Sequence, residues 1–108
     1  LSILISVKRE KAPMKKAIMM NEDDNVATLL ESVKRGETIA VISTDNKVIK
    51  NIEAGEEIAF GHKTAVNPIG KGKTVLKYGE SIGAATERID KGMHVHIHNV
   101  RSKVKYGD

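Results

Sequence analysis

One short pattern recurs four times between Val33 and Val95: an apolar residue, two positions, a glycine, two positions, then a β-branched residue. It reads Val33-Lys34-Arg35-Gly36-Glu37-Thr38-Ile39 and Ile52-Glu53-Ala54-Gly55-Glu56-Glu57-Ile58. It returns as Ile69-Gly70-Lys71-Gly72-Lys73-Thr74-Val75 and Ile89-Asp90-Lys91-Gly92-Met93-His94-Val95. Each glycine suits a turn conformation closed to residues with a Cβ, and each β-branched residue opens a new extended run. Turn signals at this spacing predict many short strands. A solenoid is excluded because the four units are irregular and carry no matching helices. Isoleucine and valine total 22 against five leucines, a balance that favours pleated surfaces over helices. Phe60, Tyr78 and Tyr106 are the aromatic residues besides histidine, so the core is aliphatic.

Strands are expected near 15–20, 38–42, 46–50, 57–60, 63–66, 74–77 and 94–100, with Thr44-Asp45-Asn46-Lys47 as a hairpin turn. One segment reads differently. Val26, Leu29, Leu30 and Val33 fall at i, i+3, i+4 and i+7, which predicts a short amphipathic helix near 25–35. Asp24 or Asn25 would cap its start, and Lys34-Arg35 before Gly36 would complement its end. The fold class expected is therefore mainly β with one short helix.

At 108 residues the chain is expected to be one domain. Residues 1–13 read as an extension or appended stretch, since Met14-Lys15-Lys16-Ala17-Ile18 after Pro13 resembles a natural start. The single domain then covers residues 14–108. The net charge of +4 is not a nucleic-acid signal. Lys8, Arg9, Lys11, Lys15 and Lys16, less Glu10, supply all of it, and the rest of the chain is neutral. A neutral body with scattered aromatics offers neither a phosphate track nor a stacking platform, so no nucleic-acid partner is expected. No apolar run approaches a membrane span, and cysteine is absent, which is compatible with a cytoplasmic location.

Chemistry is suggested by His94-Val95-His96-Ile97-His98-Asn99, where three of the four histidines alternate. Alternation puts side chains on one face of a strand. Imidazole is the commonest metal ligand and moves protons near neutral pH. On a regular strand, residues two apart lie about 6.8 Å from one another and the outer pair about 13.6 Å. Two of the three can therefore meet at one ion, with a further ligand supplied by the fold. His62, which follows Gly61, is the candidate for that ligand, and Lys63 beside it would point to the opposite face. Glu56 and Glu57 sit in a turn and read as solvated. No nucleotide-binding loop, nucleophile elbow or convincing Ser/His/Asp order is present.

Three stretches carry a family resemblance: Ile58-Ala59-Phe60-Gly61-His62-Lys63-Thr64-Ala65, residues 75–83 from Val75 through Tyr78-Gly79-Glu80 to Gly83, and residues 91–99 with the alternating histidines. Together with Asp23-Asp24-Asn25-Val26-Ala27, they resemble the SAF domain of the altronate/galactarate dehydratase family, from about Met14 to Arg101. The resemblance implies a β-clip fold of bent hairpins. It also implies a divalent-metal-dependent hydro-lyase acting on sugar acids, with iron(II) or manganese favoured over zinc. The chain lacks the family's large catalytic domain, so it resembles a separate small subunit that requires a large catalytic dehydratase subunit as partner. The isolated chain is then expected to be inactive.

On this reading His94, His96 and His98 are catalytic candidates. His62, His94 and His96 are metal ligands, completed when the large subunit is present. Lys63 and Asn99 are substrate-binding candidates. Self-association is also expected, because small β-domains leave edges to cover. The competing reading is a non-catalytic carbohydrate- or protein-binding SAF module, since a fold does not dictate its function. The histidine alternation favours the lyase, because a purely structural module has no need of it.

Overall fold

The computed structural model describes residues 14–102. The expectation that residues 1–13 are an extension therefore falls outside the described residues. Among the described residues nine strands follow one another: β1 (Lys15–Ile18), β2 (Val26–Leu29), β3 (Thr38–Ile42), β4 (Val48–Glu53), β5 (Lys63–Ala65), β6 (Thr74–Lys77), β7 (Glu80–Ala85), β8 (His94–Val95) and β9 (Val100–Arg101). They form a six-stranded sheet in the order β4-β3-β1-β2-β5-β8 and a three-stranded sheet in the order β6-β7-β9. Only β1 and β3 run parallel; the other ladders are antiparallel. The mainly β class is as expected.

The helix near 25–35 is not formed. Val26–Leu29 is instead a strand hydrogen-bonded to β1 on one side and β5 on the other. Successive β2 side chains go to opposite faces. Val26 joins a core with Ala65, Ile69, Val75, Ala85, Ile89 and Val95, whereas Ala27 and Leu29 join a second core with Ala17, Val33, Ile39, Val41, Ile52 and Ile58. A strand buried on both faces has no polar side, so its apolar spacing mimics a helical face. Leu30 exposes the mismatch: a helix would bury it beside Val26 and Val33, but it is 44% exposed. Burial of Val26 and Leu29 contributes about 1.5–3 kcal/mol each, enough to outweigh local propensity.

Asp24 and Asn25 serve the second sheet rather than a helix start. The N–H groups of Tyr78 and Asn21 donate to Asp24 Oδ2 at 2.9 and 3.1 Å, and that of Gly79 donates to Oδ1 at 2.7 Å. Asn25 Nδ2 donates to the Thr74 carbonyl at 2.9 Å, and its Oδ1 accepts from the Leu76 N–H at 2.8 Å. These two residues tie the β6–β7 hairpin to the large sheet.

Other boundaries also move. The turn at 44–47 joins β3 and β4 as expected, but β4 runs to Glu53 rather than ending near 50. Residues 57–60 do not make a strand; Ile58 forms a lone bridge with Val33, matched by Ile69 with Ile89. New strands follow Gly36, Gly72 and Gly92, but none follows Gly55, whose φ is not positive. Gly92 shows the constraint most clearly. It has φ +88°, and a Cβ there would lie 2.1 Å from the Glu53 carbonyl oxygen. The stretch 79–83 contains the start of β7. Gly83 lies within this strand because Arg101 of β9 crosses against it, leaving only 2.5 Å between an added Cβ and the Arg101 oxygen. Among the described residues, no helix is long and apolar enough to cross a membrane.

Candidate functional site

The histidines meet where β5 and β8 pair. Lys63 opposes Val95, and Thr64 opposes His94. One step further along this antiparallel register sets His62 opposite His96, with His94 diagonal to His62 on the same face. The rings accordingly converge. Centroids are 4.4 Å apart for His62 and His96, 5.0 Å for His62 and His94, and 5.2 Å for His94 and His96. His62 Nδ1 and His94 Nε2 share a hydrogen bond at 2.9 Å, whose direction follows from which imidazole carries the proton. The fold thus brings His62 from elsewhere in the chain to the alternating histidines.

The expected strand over 94–100 is corrected: it ends at Val95, and residues 96–99 turn. Buried Asn99 closes this turn. Its Oδ1 accepts the His96 N–H at 2.9 Å, its Nδ2 donates to the His94 carbonyl at 2.8 Å, and its own N–H donates to the His96 carbonyl at 3.0 Å. The turn carries the His98 ring to 5.1 Å from that of His94, far closer than a straight strand allows. His98 nevertheless stays outside the group whose nitrogens meet. One ligand atom from each of half-buried His62, His94 and His96 lies within 4.8 Å of the others. Both ends of the Asn99 amide are therefore engaged by the histidine turn.

Glu56, read as a solvated turn residue, belongs to the site's support. Its Oε2 accepts the His94 N–H at 2.9 Å. Nothing local separates it from Glu57; only the fold brings residue 56 to residue 94.

Electrostatics favour neutral imidazoles. His94 is held below the usual histidine range, first by burial and then by the neighbouring His62, His98 and His96, against an opposing pull from Glu56. His96 is lowered by burial, His62, Lys63 and His98. Lys63 is lowered by burial and by Lys77.

Two cavities flank the histidines. One, of about 220 Å³, is lined by Lys63, Ile82, His96, Ile97, Val100 and Ser102. The other, of about 280 Å³, has Glu56, Glu87, Arg88, Asp90, His98 and Asn99 among its walls. Lys63 and His98 thus lie on different sides of the cluster.

The three imidazoles suit a divalent cation. Nitrogens bound at about 2.1 Å to one ion lie roughly 3–3.4 Å apart. The 2.9 Å pair needs only a few tenths of an ångström of opening, with the shared proton moved to that ring's other nitrogen by a change of tautomer. Depressed basicity keeps His94 and His96 in the unprotonated form that a metal requires. Three protein nitrogens leave positions for a substrate, the arrangement of a reactive rather than a closed structural site.

Comparison with known proteins agrees with this geometry. Residues 15–103 match the altronate/galactarate dehydratase SAF domain. The chain is 40% identical over 81 residues to an altronate dehydratase of Escherichia coli (strain K12), covering 75% of this chain and 15% of that protein. It is 32% identical over 91 residues to the altronate dehydratase of Bacillus subtilis (strain 168), covering 84% and 17% respectively. Thus it spans about a sixth of the length of these dehydratases. Against the (2R)-sulfolactate sulfo-lyase subunit alpha of Chromohalobacter salexigens it is 32% identical over 87 residues, covering 80% of this chain and 93% of that subunit. The match over residues 15–103 shows that this chain belongs to the SAF-domain family of the altronate/galactarate dehydratases.

Proposed function

We propose that this chain is the small SAF-domain subunit of a metal-dependent lyase acting on hydroxylated acids, with a site completed by a large catalytic subunit. The observation that carries the proposal is the convergence of His62, His94 and His96 from two strands far apart in sequence. The relatives' names support a lyase, and the near-complete coverage of a sulfo-lyase's alpha subunit supports a separate small polypeptide. The two-sheet arrangement of hairpins is compatible with a β-clip.

Eliminating water β to a carboxylate requires removal of a weakly acidic α-proton and protonation of the departing hydroxyl. His62, His94 and His96 hold the metal in this proposal, with iron(II) or manganese preferred to zinc. When bound, the cation offsets the negative charge that develops as the α-proton leaves. His98 lies against His94 but outside the trio. In this reading it exchanges a proton with a substrate that spans the cluster, while Lys63 faces the cavity it shares with His96 on the other side. Asn99 and Glu56 set the position of the histidine turn.

A cytoplasmic location and self-association complete the proposal. Strand β4 is an outer strand of the large sheet and exposes Val48 and Ile49, an edge suited to a second copy. The principal test is reconstitution with the large subunit and measurement of elimination from altronate, galactarate and sulfolactate. Replacement of His62, His94 or His96 by glutamine is expected to lower activity about a hundredfold or more, with loss of bound metal. Folded variants that keep full activity at all four histidines would leave the non-catalytic binding module as the correct reading.

A further inference from the structure

We propose that the cavity beside the histidine trio is a receptor for the anionic end of the substrate, a carboxylate or sulfonate carried on a short stem. Lys63 and His96 supply its polar wall. This inference rests on the lyase reading and specifies which part of the acid the small subunit holds.

The strongest observation is an ammonium group without a counterion. Lys63 is half-buried on β5, and its Nζ has neither an ion-pair partner nor a hydrogen bond among the described residues. The ion pairs found there, Lys47 with Asp45 and Arg88 with Asp90, lie on the exposed surface. The charge of Lys77, a half-buried residue at the end of β6, also reaches Lys63. Its ammonium lies 5.0 Å from the Tyr78 ring centroid. A partly dehydrated ammonium without a counterion is an arrangement that a bound anion relieves.

The other walls define the ligand further. Half-buried Ile82 and Val100 give the cavity an apolar wall that strengthens attraction to an oxyanion. Ile97 is 84% exposed at the outer end of the histidine turn. Ser102 is the remaining polar lining residue, so few partners are available for a row of substrate hydroxyls. At about 220 Å³, the cavity is smaller than the roughly 300 Å³ at which ligand pockets usually begin. It therefore suits an acid group and the carbon or two next to it, with the rest of a longer substrate lying towards the partner subunit.

The position also makes chemical sense. His96 belongs both to this cavity and to the trio. An acid group held at Lys63 therefore places its adjacent carbons beside the histidines, where an α-proton must be removed. The opposite cavity carries Glu56, Glu87 and Asp90 against one arginine, so its charge repels the same ligand. Opposed fields on the two sides orient an acid without any contact to its hydroxyls.

The test is anion titration of the full 108-residue chain, metal-free, followed by NMR of the Ile82, Ile97 and Val100 methyl groups and the His96 ring. Glycerate is the carboxylate probe, isethionate the sulfonate probe and glycerol the neutral control. Saturable shifts with either anion and none with glycerol support the receptor, and the anion that binds more tightly identifies the acid group preferred. Lys63→Gln is expected to weaken binding about tenfold or more, and Lys77→Gln about threefold. Absence of saturable anion binding, or equal affinity in Lys63→Gln with its methyl spectrum otherwise preserved, overturns the receptor. Cobalt(II) titration of the same sample separates the two proposals. Normal metal binding without anion binding removes the receptor and leaves the lyase reading standing.

Discussion

Two buried side chains close two turns in this molecule, and they act over very different lengths of chain. Asn99 bonds to residues three and five positions away and shapes the histidine turn. Asp24 accepts from Tyr78 and Gly79, across 54 and 55 positions, and fastens the β6–β7 hairpin to the large sheet. The local pin gains little loop-closure stabilisation but determines where His94 and His96 point. The distant pin restrains a large part of the fold and touches no histidine. Site geometry and fold stability are thus carried by separate residues and are separable by mutation.

The largest expected effect is at Asp24. Asp24→Ala leaves three backbone donors without their acceptor and is expected to cost about 3 kcal/mol of stability, measured by urea unfolding. Metal affinity of the folded fraction should stay within a few-fold of the original. An unchanged urea midpoint would show that the distant pin contributes nothing.

Asn99→Ala should show the reverse. Stability falls by only about 1–2 kcal/mol, while affinity for cobalt(II) or zinc falls about 10- to 100-fold by calorimetry. Asn99→Asp retains the acceptor for the His96 N–H but loses the donor to His94, so an intermediate loss is expected. Should Asn99→Ala bind metal normally, the turn does not depend on its amide.

Acid offers a smaller perturbation confined to the local region. His94 and His96 have folded pKa values below the unfolded 6.5, so the unfolded chain takes up protons first. Their contribution to stability is complete above about pH 6.5 and is lost as pH falls through the lowered folded values. The urea midpoint should therefore drop on acidification from neutrality, and His94→Gln should flatten that dependence. A pH profile identical in wild type and His94→Gln would remove the histidine cluster as its source.

Glu56→Gln is the mildest change. It keeps an acceptor for the His94 N–H but removes the charge, with an expected loss of up to about 1 kcal/mol. The His94 amide resonance should move while the long-range contacts of β6 and β7 remain.

Much of the architecture was legible along the chain. Strands β1, β3, β5 and β6 and the turn at 44–47 follow local signals: β-branched runs bounded by turn residues. The misread segments have a common cause. Val26–Leu29 looks helical because it is buried from both sides, and the glycine of β7 looks like a turn because the reason for it, Arg101 of β9, lies elsewhere in the sequence. The site divides in the same way. His62 and the alternating histidines were recognisable as chemistry-bearing residue types. Asn99 as a turn pin and Glu56 as an anchor were not, because their partners are decided by folding.

By itself, the sequence determined a mainly β chain with glycine-punctuated strands and imidazoles able to share one strand face, since backbone sterics and side-chain alternation act over a few residues. Only the tertiary structure decided that β5 and β8 pair in the register that sets His62 across from His96. It also decided that the strand stops at Val95, bringing His98 back towards His94. The first outcome depends on contacts between residues about 30 positions or more apart, such as Glu56 with His94 and His62 with His94. The second is held by Asn99 across three and five positions. Local chemistry supplied the ligands; long-range packing assembled them into a site.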